Sequence, residues 1–74
     1  MMSPDEKLVY MANQIARNFA VQGEAVAVAA TAEHIGKYWD PRMRARIAIL
    51  SADEAIGLDA ITRAAIGIIR TKAA

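Results

Sequence analysis

The chain has 74 residues, no cysteine and a formal net charge of +1. A chain of this length forms one domain at most, so we expect a single domain over residues 1–74. The lack of cysteine excludes a disulfide framework and a thiolate metal site. Because His34 is the only histidine, a His-rich zinc site is also excluded. Basic and acidic residues nearly cancel, so no strong field attracts nucleic acid or an anionic membrane.

The apolar content is high for so short a chain. Hydrophobic residues make up 55% of the sequence, whereas a domain of this size buries only about 60% of its unfolded surface. Small scaffolds usually depend on disulfides, a metal or a partner. Since the first two are excluded, a partner protein is the expected source of extra stability, and apolar residues left on the surface mark the interaction site.

No segment predicts export or membrane insertion. Residues 3–7 are polar or charged and interrupt any signal-peptide core. The longest mostly apolar run, residues 25–32, is far shorter than the roughly 20 residues that span a membrane. We therefore expect a cytoplasmic protein without membrane contact.

A capping box predicts that the first helix begins after Ser3. Pro4 suits the first helical position, and the Glu6 side chain can reach back to the Ser3 backbone. Apolar residues then recur at helical spacing and form one stripe: Leu8, Met11, Ala12, Ile15 and Phe19. The opposite side is expected to hold Tyr10, Asn13, Gln14 and Arg17. Gly23 is predicted to end the helix.

The second helix is predicted from Glu24 to Tyr38. Its apolar residues alternate spacings of three and four, which is the pattern of packed helices: Ala25, Val28, Ala32, Ile35 and Trp39. Trp39 continues this seam, so we expect it in the core rather than at an interface. His34 falls beside the seam, next to Tyr38 and Thr31, where a structural role is the default.

Asp40-Pro41 predicts a break and a new helix, with Asp40 as N-cap and Pro41 at the first helical position. This third helix is expected to continue to Gly57. It carries one apolar stripe of Met43, Ile47 and Leu50, and a nearly opposite one of Ala45, Ile49, Ala52 and Ile56. Two apolar faces predict burial on both sides, partly against another chain.

The fourth helix is predicted to start after Asp59, a plausible N-cap. Its main stripe is Ile61, Ala65 and Ile68, and Ile66 and Ile69 are expected outside it. No strand pattern or internal repeat is present. The sequence therefore predicts an all-α fold, a small bundle of about four short helices.

Catalytic groupings are not found. The carboxylates of Asp5-Glu6 and Asp53-Glu54 are adjacent, and adjacent residues on a helix point in different directions. Thr31 and His34 are three residues apart, but no second base or oxyanion turn accompanies them. We expect no catalytic residue, no metal ligand and no cofactor-binding residue in this chain, and hence no enzyme.

The densest cluster of recognition-type residues runs from His34 to Arg46. It combines the only tryptophan and histidine with a tyrosine and three arginines, and Trp, Tyr and Arg are enriched in interface hot spots. Arg42 and Arg46 are expected to share one side of the helix. Arg44 points away and can pair with Asp40. For Tyr38, Arg42 and Arg44 the interface interpretation is favoured.

Two blocks of sequence carry a family resemblance. The first is Lys-Leu-Val-Tyr-Met-Ala-Asn-Gln-Ile-Ala at residues 7–16, followed by Phe19. The second is His-Ile at residues 34–35, followed by Tyr-Trp-Asp-Pro-Arg-Met-Arg at residues 38–44. Together they resemble the delta subunit of NAD-dependent formate dehydrogenase. The resemblance is loose after Ile47, and Tyr38 stands where the family leads us to expect phenylalanine.

The resemblance implies an accessory role in a larger enzyme. The parent enzyme oxidises formate to carbon dioxide and passes electrons to NAD. Its larger subunits hold a molybdenum or tungsten pterin, iron–sulfur clusters and FMN. The delta subunit carries no cofactor and is associated with assembly or stability of the complex. The catalytic alpha subunit is the expected docking partner.

The predicted partner-binding residues are Asn13, Gln14, His34, Tyr38, Trp39, Asp40, Pro41, Arg42, Met43 and Arg44. Charge reversal of Arg42 and Arg44 is expected to weaken the complex while leaving the chain helical. Two alternatives stay open: a maturation chaperone that leaves the finished enzyme, and a small DNA-binding regulator that uses the helix of Arg42–Arg46. The latter predicts binding that falls steeply with salt.

Overall fold

Four α-helices make up the secondary structure of residues 1–73, the part of the chain that this computed structural model describes. They are α1 (Pro4–Ala20), α2 (Glu24–Tyr38), α3 (Pro41–Leu50) and α4 (Ala60–Ala73). No strand occurs within that range, so the all-α prediction of four short helices is confirmed. None of the helices so described is long and apolar enough to cross a membrane.

Side-chain caps fix the starts of α1 and α3 as predicted. The Glu6 amide donates to Ser3 Oγ at 3.1 Å and the Ser3 amide donates to Glu6 Oε1 at 2.9 Å, which completes the capping box. Asp40 Oδ1 accepts from the Met43 amide at 2.9 Å, and Pro41 opens α3. Gly23, with φ of 100°, links α1 to α2 in a conformation that favours glycine.

The core lies where the four helices meet. Ile35, Ile47 and Ile66 are fully buried, one each from α2, α3 and α4. Val9 and Ala12 of α1 complete this cluster together with Trp39, whose side chain is only 5% exposed. The prediction that Trp39 belongs to the core is therefore confirmed.

The buried faces are rotated from the predicted stripes. On α1, Asn13 is buried and Met11 is 39% exposed, so the placement of Asn13 on the exposed side was wrong. On α2, Ala25 is exposed, while Ala27 and Thr31 are fully buried. The buried positions include small residues such as Ala12 and Ala27, which let helix axes approach closely. Ala12 belongs to the predicted stripe of α1, whereas Ala27 lies outside the predicted stripe of α2.

In α4 the same rotation brings Ile66 into the core. Ile66 and Ala65 are fully buried, and Ile69 packs against the core from a half-buried position. The expectation that Ile66 and Ile69 exceed what the core requires was wrong. Thr62, one turn before Ile66, is fully buried with them.

Helix α3 ends at Leu50, seven residues before Gly57, so the prediction that it continues to Gly57 was wrong. Ser51 Oγ donates to the Ala48 carbonyl at 2.6 Å, and Asp53 Oδ1 accepts from the Ala55 amide at 2.9 Å. Such local side-chain bonds compete with the helical ladder and favour a turn. Of the predicted second stripe, Ile49 is 62% exposed, while Ile56 reaches the core from the loop.

Candidate partner-binding surface

The corner between α2 and α3, residues 38–42, divides its side chains between the core and the solvent. Trp39 adopts an extended backbone conformation and turns its indole inward. Tyr38 before it is 71% exposed, and Arg42 after it lies on the surface. The buried indole and the Asp40 cap thus hold Tyr38 and Arg42 on the turn between the two helices. We name residues 38–42 the corner surface.

A row of aromatic rings leads from α1 to this corner surface. The ring centroids of Phe19 and His34 are 6.4 Å apart in an edge-to-face arrangement. The rings of His34 and Tyr38, four residues apart on α2, have centroids 4.8 Å apart. Offset and edge-to-face contacts are the favoured geometries of aromatic pairs. His34 is half-buried between its two neighbours, so it fixes the base of the exposed Tyr38 ring.

The Arg44 side chain stabilises the fold through hydrogen bonds to the backbone. Its guanidinium donates to the Trp39 carbonyl and, at 3.3 Å, to the Gly36 carbonyl. These oxygens end α2, where carbonyl groups lack partners within the helix and a positive charge is favourable. The predicted pairing of Arg44 with Asp40 was wrong, since the Asp40 carboxylate caps α3 instead.

Arg46 ties α3 to the start of α1. Its Nε and Nη2 donate to the two carboxylate oxygens of Asp5 at 2.9 and 2.7 Å. These bonds lower the pKa of Asp5 and raise the pKa of Arg46. The pKa of Glu6 is lowered too, because the Ser3 amide donates to its carboxylate. Asp5 and Glu6 therefore favour the folded state in their ionised forms.

Arg42 and Arg46 are both exposed, and they differ in their partners. Among the described residues Arg42 has no ion pair or side-chain hydrogen bond, unlike Arg44 and Arg46. The sequence favoured both Arg42 and Arg44 for the interface, because their spacing along the helix does not show which neighbours fold back to meet them.

Asn13 and Gln14, adjacent in sequence, have different roles. Asn13 is buried and its side-chain amide bonds the loop before α4. Gln14 is exposed, and its Nε2 lies 3.3 Å from Tyr10 Oη. Asn13 therefore supports the fold, and Gln14 remains available to a partner.

Two arginines outside the predicted partner-binding residues hold the loop of residues 51–59. Arg63 Nη1 donates to the Ser51 carbonyl at 2.6 Å, and Arg17 Nε donates to Asp59 at 2.9 Å. Asp59 directly precedes α4 as predicted, with its carboxylate turned to Arg17. These partners are 12 and 42 positions apart in the sequence, and no local pattern signals such pairs.

Several apolar side chains remain on the surface, as the composition predicted. The larger ones at least half exposed on the helices are Tyr10, Val26, Tyr38 and Ile49. Pro41 and Asp40 of the corner surface are exposed as well, and Met43 is half-buried against the core. The structure therefore brings Tyr38, Asp40, Pro41 and Arg42 together at one exposed turn and gives Asn13, Trp39 and Arg44 structural roles.

Within residues 1–73, no three side chains of the His, Cys, Asp and Glu types are placed to hold a metal ion. The features of the corner surface are an exposed phenol ring and an exposed guanidinium on one capped turn. Such groups bind other molecules by stacking, apolar contact and charge-assisted hydrogen bonds.

Fold and surface together define a small four-helix protein with an exposed aromatic and arginine corner. The profile of one protein family, described as the NADH-dependent formate dehydrogenase delta subunit (FdsD), matches residues 7–66. The chain belongs to this family. Searches among curated proteins and among solved structures gave no significant match. The matched segment includes Asn13, Gln14 and the whole corner surface.

Proposed function

We propose that this chain is a non-catalytic accessory subunit that binds the larger subunits of an NADH-dependent formate dehydrogenase and stabilises or helps assemble the complex. The observation that carries the proposal is the family match over residues 7–66. Formate oxidation takes place in the partner subunits, which hold the pterin metal centre, the iron–sulfur clusters and FMN and bind NAD. The catalytic alpha subunit is the proposed docking partner, and the cytoplasm the proposed location.

The corner surface is the proposed contact with the partner. Tyr38 offers a large exposed ring that is already positioned by His34, so little rotational freedom is lost on binding. Arg42 beside it has no competing ion pair among the described residues and is free to bond a partner carboxylate. Tyrosine and arginine are typical of the residues that dominate interface energies. Gln14 on α1 is proposed as a second, weaker contact.

DNA binding is less well supported by the structure. That alternative requires the arginines of α3 to face phosphate together. Arg44 is engaged with the end of α2, and Arg46 is engaged with Asp5. Arg42 alone attracts phosphate only weakly in a chain with a net charge of +1.

Co-expression of the larger subunits with and without this chain tests the proposed function. The account predicts less assembled complex, measured by size-exclusion chromatography, and less formate-dependent reduction of NAD per cell when the chain is omitted. Equal yield and equal activity without the chain would contradict it.

The two tyrosines supply a matched test of the proposed contact. Both are at least half exposed, but Tyr38 lies at the corner surface and Tyr10 on α1. In a pull-down with the larger subunits, Tyr38→Ala is expected to reduce binding by about tenfold or more, and Tyr10→Ala much less. The reverse order would place the interface on α1.

A further inference from the structure

An open groove lies between α2 and α4, on a different side of α2 from the His34 ring. Its volume is about 730 Å³. The floor is formed by the small residues Ala29, Ala32 and Gly36, and Ile68 and Ile69 of α4 form an apolar wall. Both Ala29 and Gly36 are exposed to solvent. No described side chain of this protein fills the groove.

The rim of the groove is positively charged. Lys37, Arg44 and Lys72 line it together with one acidic residue, Glu33. The Glu33 carboxylate lies 3.9 Å from Lys37 Nζ, and both side chains are at least 65% exposed, so this pair is weak. Arg44 is held in place by its bonds to the end of α2. The groove therefore combines an apolar floor with a net positive rim.

We propose that this groove receives an acidic amphipathic helix from a larger subunit of the complex. The inference rests on the proposed function, because the occupant is taken to be part of a partner subunit. Small residues on α2 let a second helix approach closely. From Ala29 to Lys37 the groove follows α2 for about 12 Å, or roughly two helical turns. Carboxylates flanking the apolar face of the incoming helix would meet Lys37, Arg44 and Lys72.

Charge complementarity favours this occupant over a second copy of the chain. A symmetric pairing would place two positive rims against each other, which is unfavourable. A membrane is also a poor occupant, because membranes are met by convex basic surfaces, whereas this groove is concave and has an apolar floor. The apolar face of an acidic amphipathic helix would pack on the floor, and its carboxylates would pair with the basic residues of the rim.

Two helical glycines provide a matched pair of variants. Gly36 lines the groove and Gly67 does not; a Cβ atom at either position meets nothing within 4 Å. A Cβ atom is therefore accommodated at either position, and replacement of glycine by leucine improves helix propensity. In pull-downs with the larger subunits, Gly36→Leu is expected to weaken binding by about tenfold or more, and Gly67→Leu to bind like the unsubstituted chain.

The pattern of outcomes separates this inference from the proposed function. If the unsubstituted chain does not bind the larger subunits, the proposed function fails. If it binds and Gly36→Leu binds equally well, only the groove inference is overturned. Circular dichroism and thermal unfolding of both variants show whether each is folded.

Cross-linking identifies the occupant directly. Because the chain has no cysteine, Gly36→Cys and Gly67→Cys each accept a single photo-reactive probe. After irradiation of the purified complex, the Gly36 probe is expected to label an acidic helical segment of a larger subunit, and the Gly67 probe is not. Labelling of a second copy, of a segment without carboxylates, or of nothing by the Gly36 probe would overturn the inference.

The charge of the rim has its own matched test. Lys72 lines the groove, and Arg70 is an exposed cation of the same helix outside it. Lys72→Glu is expected to weaken the complex more than Arg70→Glu does, with a difference that shrinks at high salt. Equal effects of the two reversals would contradict the proposed role of the rim.

Discussion

Asn13 Nδ2 donates a hydrogen bond to the carbonyl oxygen of Gly57 at 2.9 Å, across 44 positions of sequence. The Oδ1 atom of the same side chain accepts from the Asp59 amide at 2.9 Å. A single buried amide therefore holds both sides of the turn at Leu58. Gly57, with φ of 87°, occupies a backbone region that favours glycine. This clamp sets the direction in which α4 begins.

Substitution of Asn13 is expected to destabilise the fold. Asn13→Leu removes both hydrogen bonds. The Gly57 carbonyl and the Asp59 amide then lose these partners, at a cost of about 2–3 kcal/mol. Chemical denaturation followed by circular dichroism measures this change. Gln14→Ala, at the exposed neighbouring position, is the control and should change stability by less than about 0.5 kcal/mol. Equal stability of the two variants would show that the clamp is unimportant.

Charge reversal should distinguish Arg42 from Arg44. Arg44→Glu places a negative charge at the carbonyl end of α2 and removes the bonds to Gly36 and Trp39, so the free energy of unfolding should fall by about 1–2 kcal/mol. Arg42→Glu should leave that free energy nearly unchanged and weaken binding to the larger subunits. Thermal unfolding and a pull-down of each variant test the two expectations separately. Unchanged stability of Arg44→Glu would show that the bonds of Arg44 to the end of α2 contribute little to the fold.

The free energy of unfolding should decrease in acid, because the carboxylates of Asp5 and Glu6 become protonated. Their pKa values in the folded chain lie below the ordinary values of 3.8 and 4.5, so the unfolded chain binds more protons as the pH falls past those values. The stabilisation is therefore present above pH 4.5 and lost as the pH falls through the lowered pKa values.

Unfolding titrations at several pH values measure this loss. Asp5→Asn should reduce the pH dependence, and Arg46→Gln should remove the same part of it because Arg46 is the main cause of the Asp5 shift. The double variant should show no further reduction. Additive effects of the two substitutions would indicate that Asp5 and Arg46 act independently.

The hydroxyl groups of Thr31 and Thr62 are buried without a hydrogen-bond partner within the described chain. Burial of an unpaired hydroxyl costs about 1–3 kcal/mol. Thr62→Val keeps the shape of the side chain, removes this cost and should stabilise the protein by about 1 kcal/mol. Thr71→Val, where the hydroxyl is exposed and bonds the Gly67 carbonyl, should not. Thermal denaturation compares them, and destabilisation by Thr62→Val would indicate a hydrogen bond that forms in solution.

The local features of this fold could be predicted from the sequence because their causes are local. The capping box at Ser3 and the Asp40-Pro41 break depend on residues within one helical turn of each other, and α2 has the predicted bounds. The end of α3 was missed although Ser51 and Asp53 favour a turn locally, and Arg63, twelve positions beyond Ser51, adds a further bond to that turn. Helical periodicity carries no information about such a distant bond.

The sequence predicted one cluster of partner-binding residues, but tertiary contacts bury or engage some members and leave others exposed. The segment from His34 to Arg46 contains recognition-type residues, but Trp39 turns into the core and Arg46 meets Asp5 at the start of α1. The sequence favoured Tyr38, Arg42 and Arg44 for the interface and Trp39 for the core, and the bonds of Arg44 to the end of α2 are what set it apart from Tyr38 and Arg42. The basic groove was not predicted at all, because Lys37 and Lys72 come together only when α2 and α4 pack.

Affinity purification of the tagged chain from its native cells shows whether the chain is a subunit of the enzyme. We expect the larger formate dehydrogenase subunits to be recovered in a fixed ratio to the chain, and the recovered fraction to oxidise formate. Recovery with incomplete, inactive enzyme would identify the chain as a maturation chaperone that leaves the finished complex. Recovery of the chain alone, with active formate dehydrogenase left in the unbound fraction, would contradict the account.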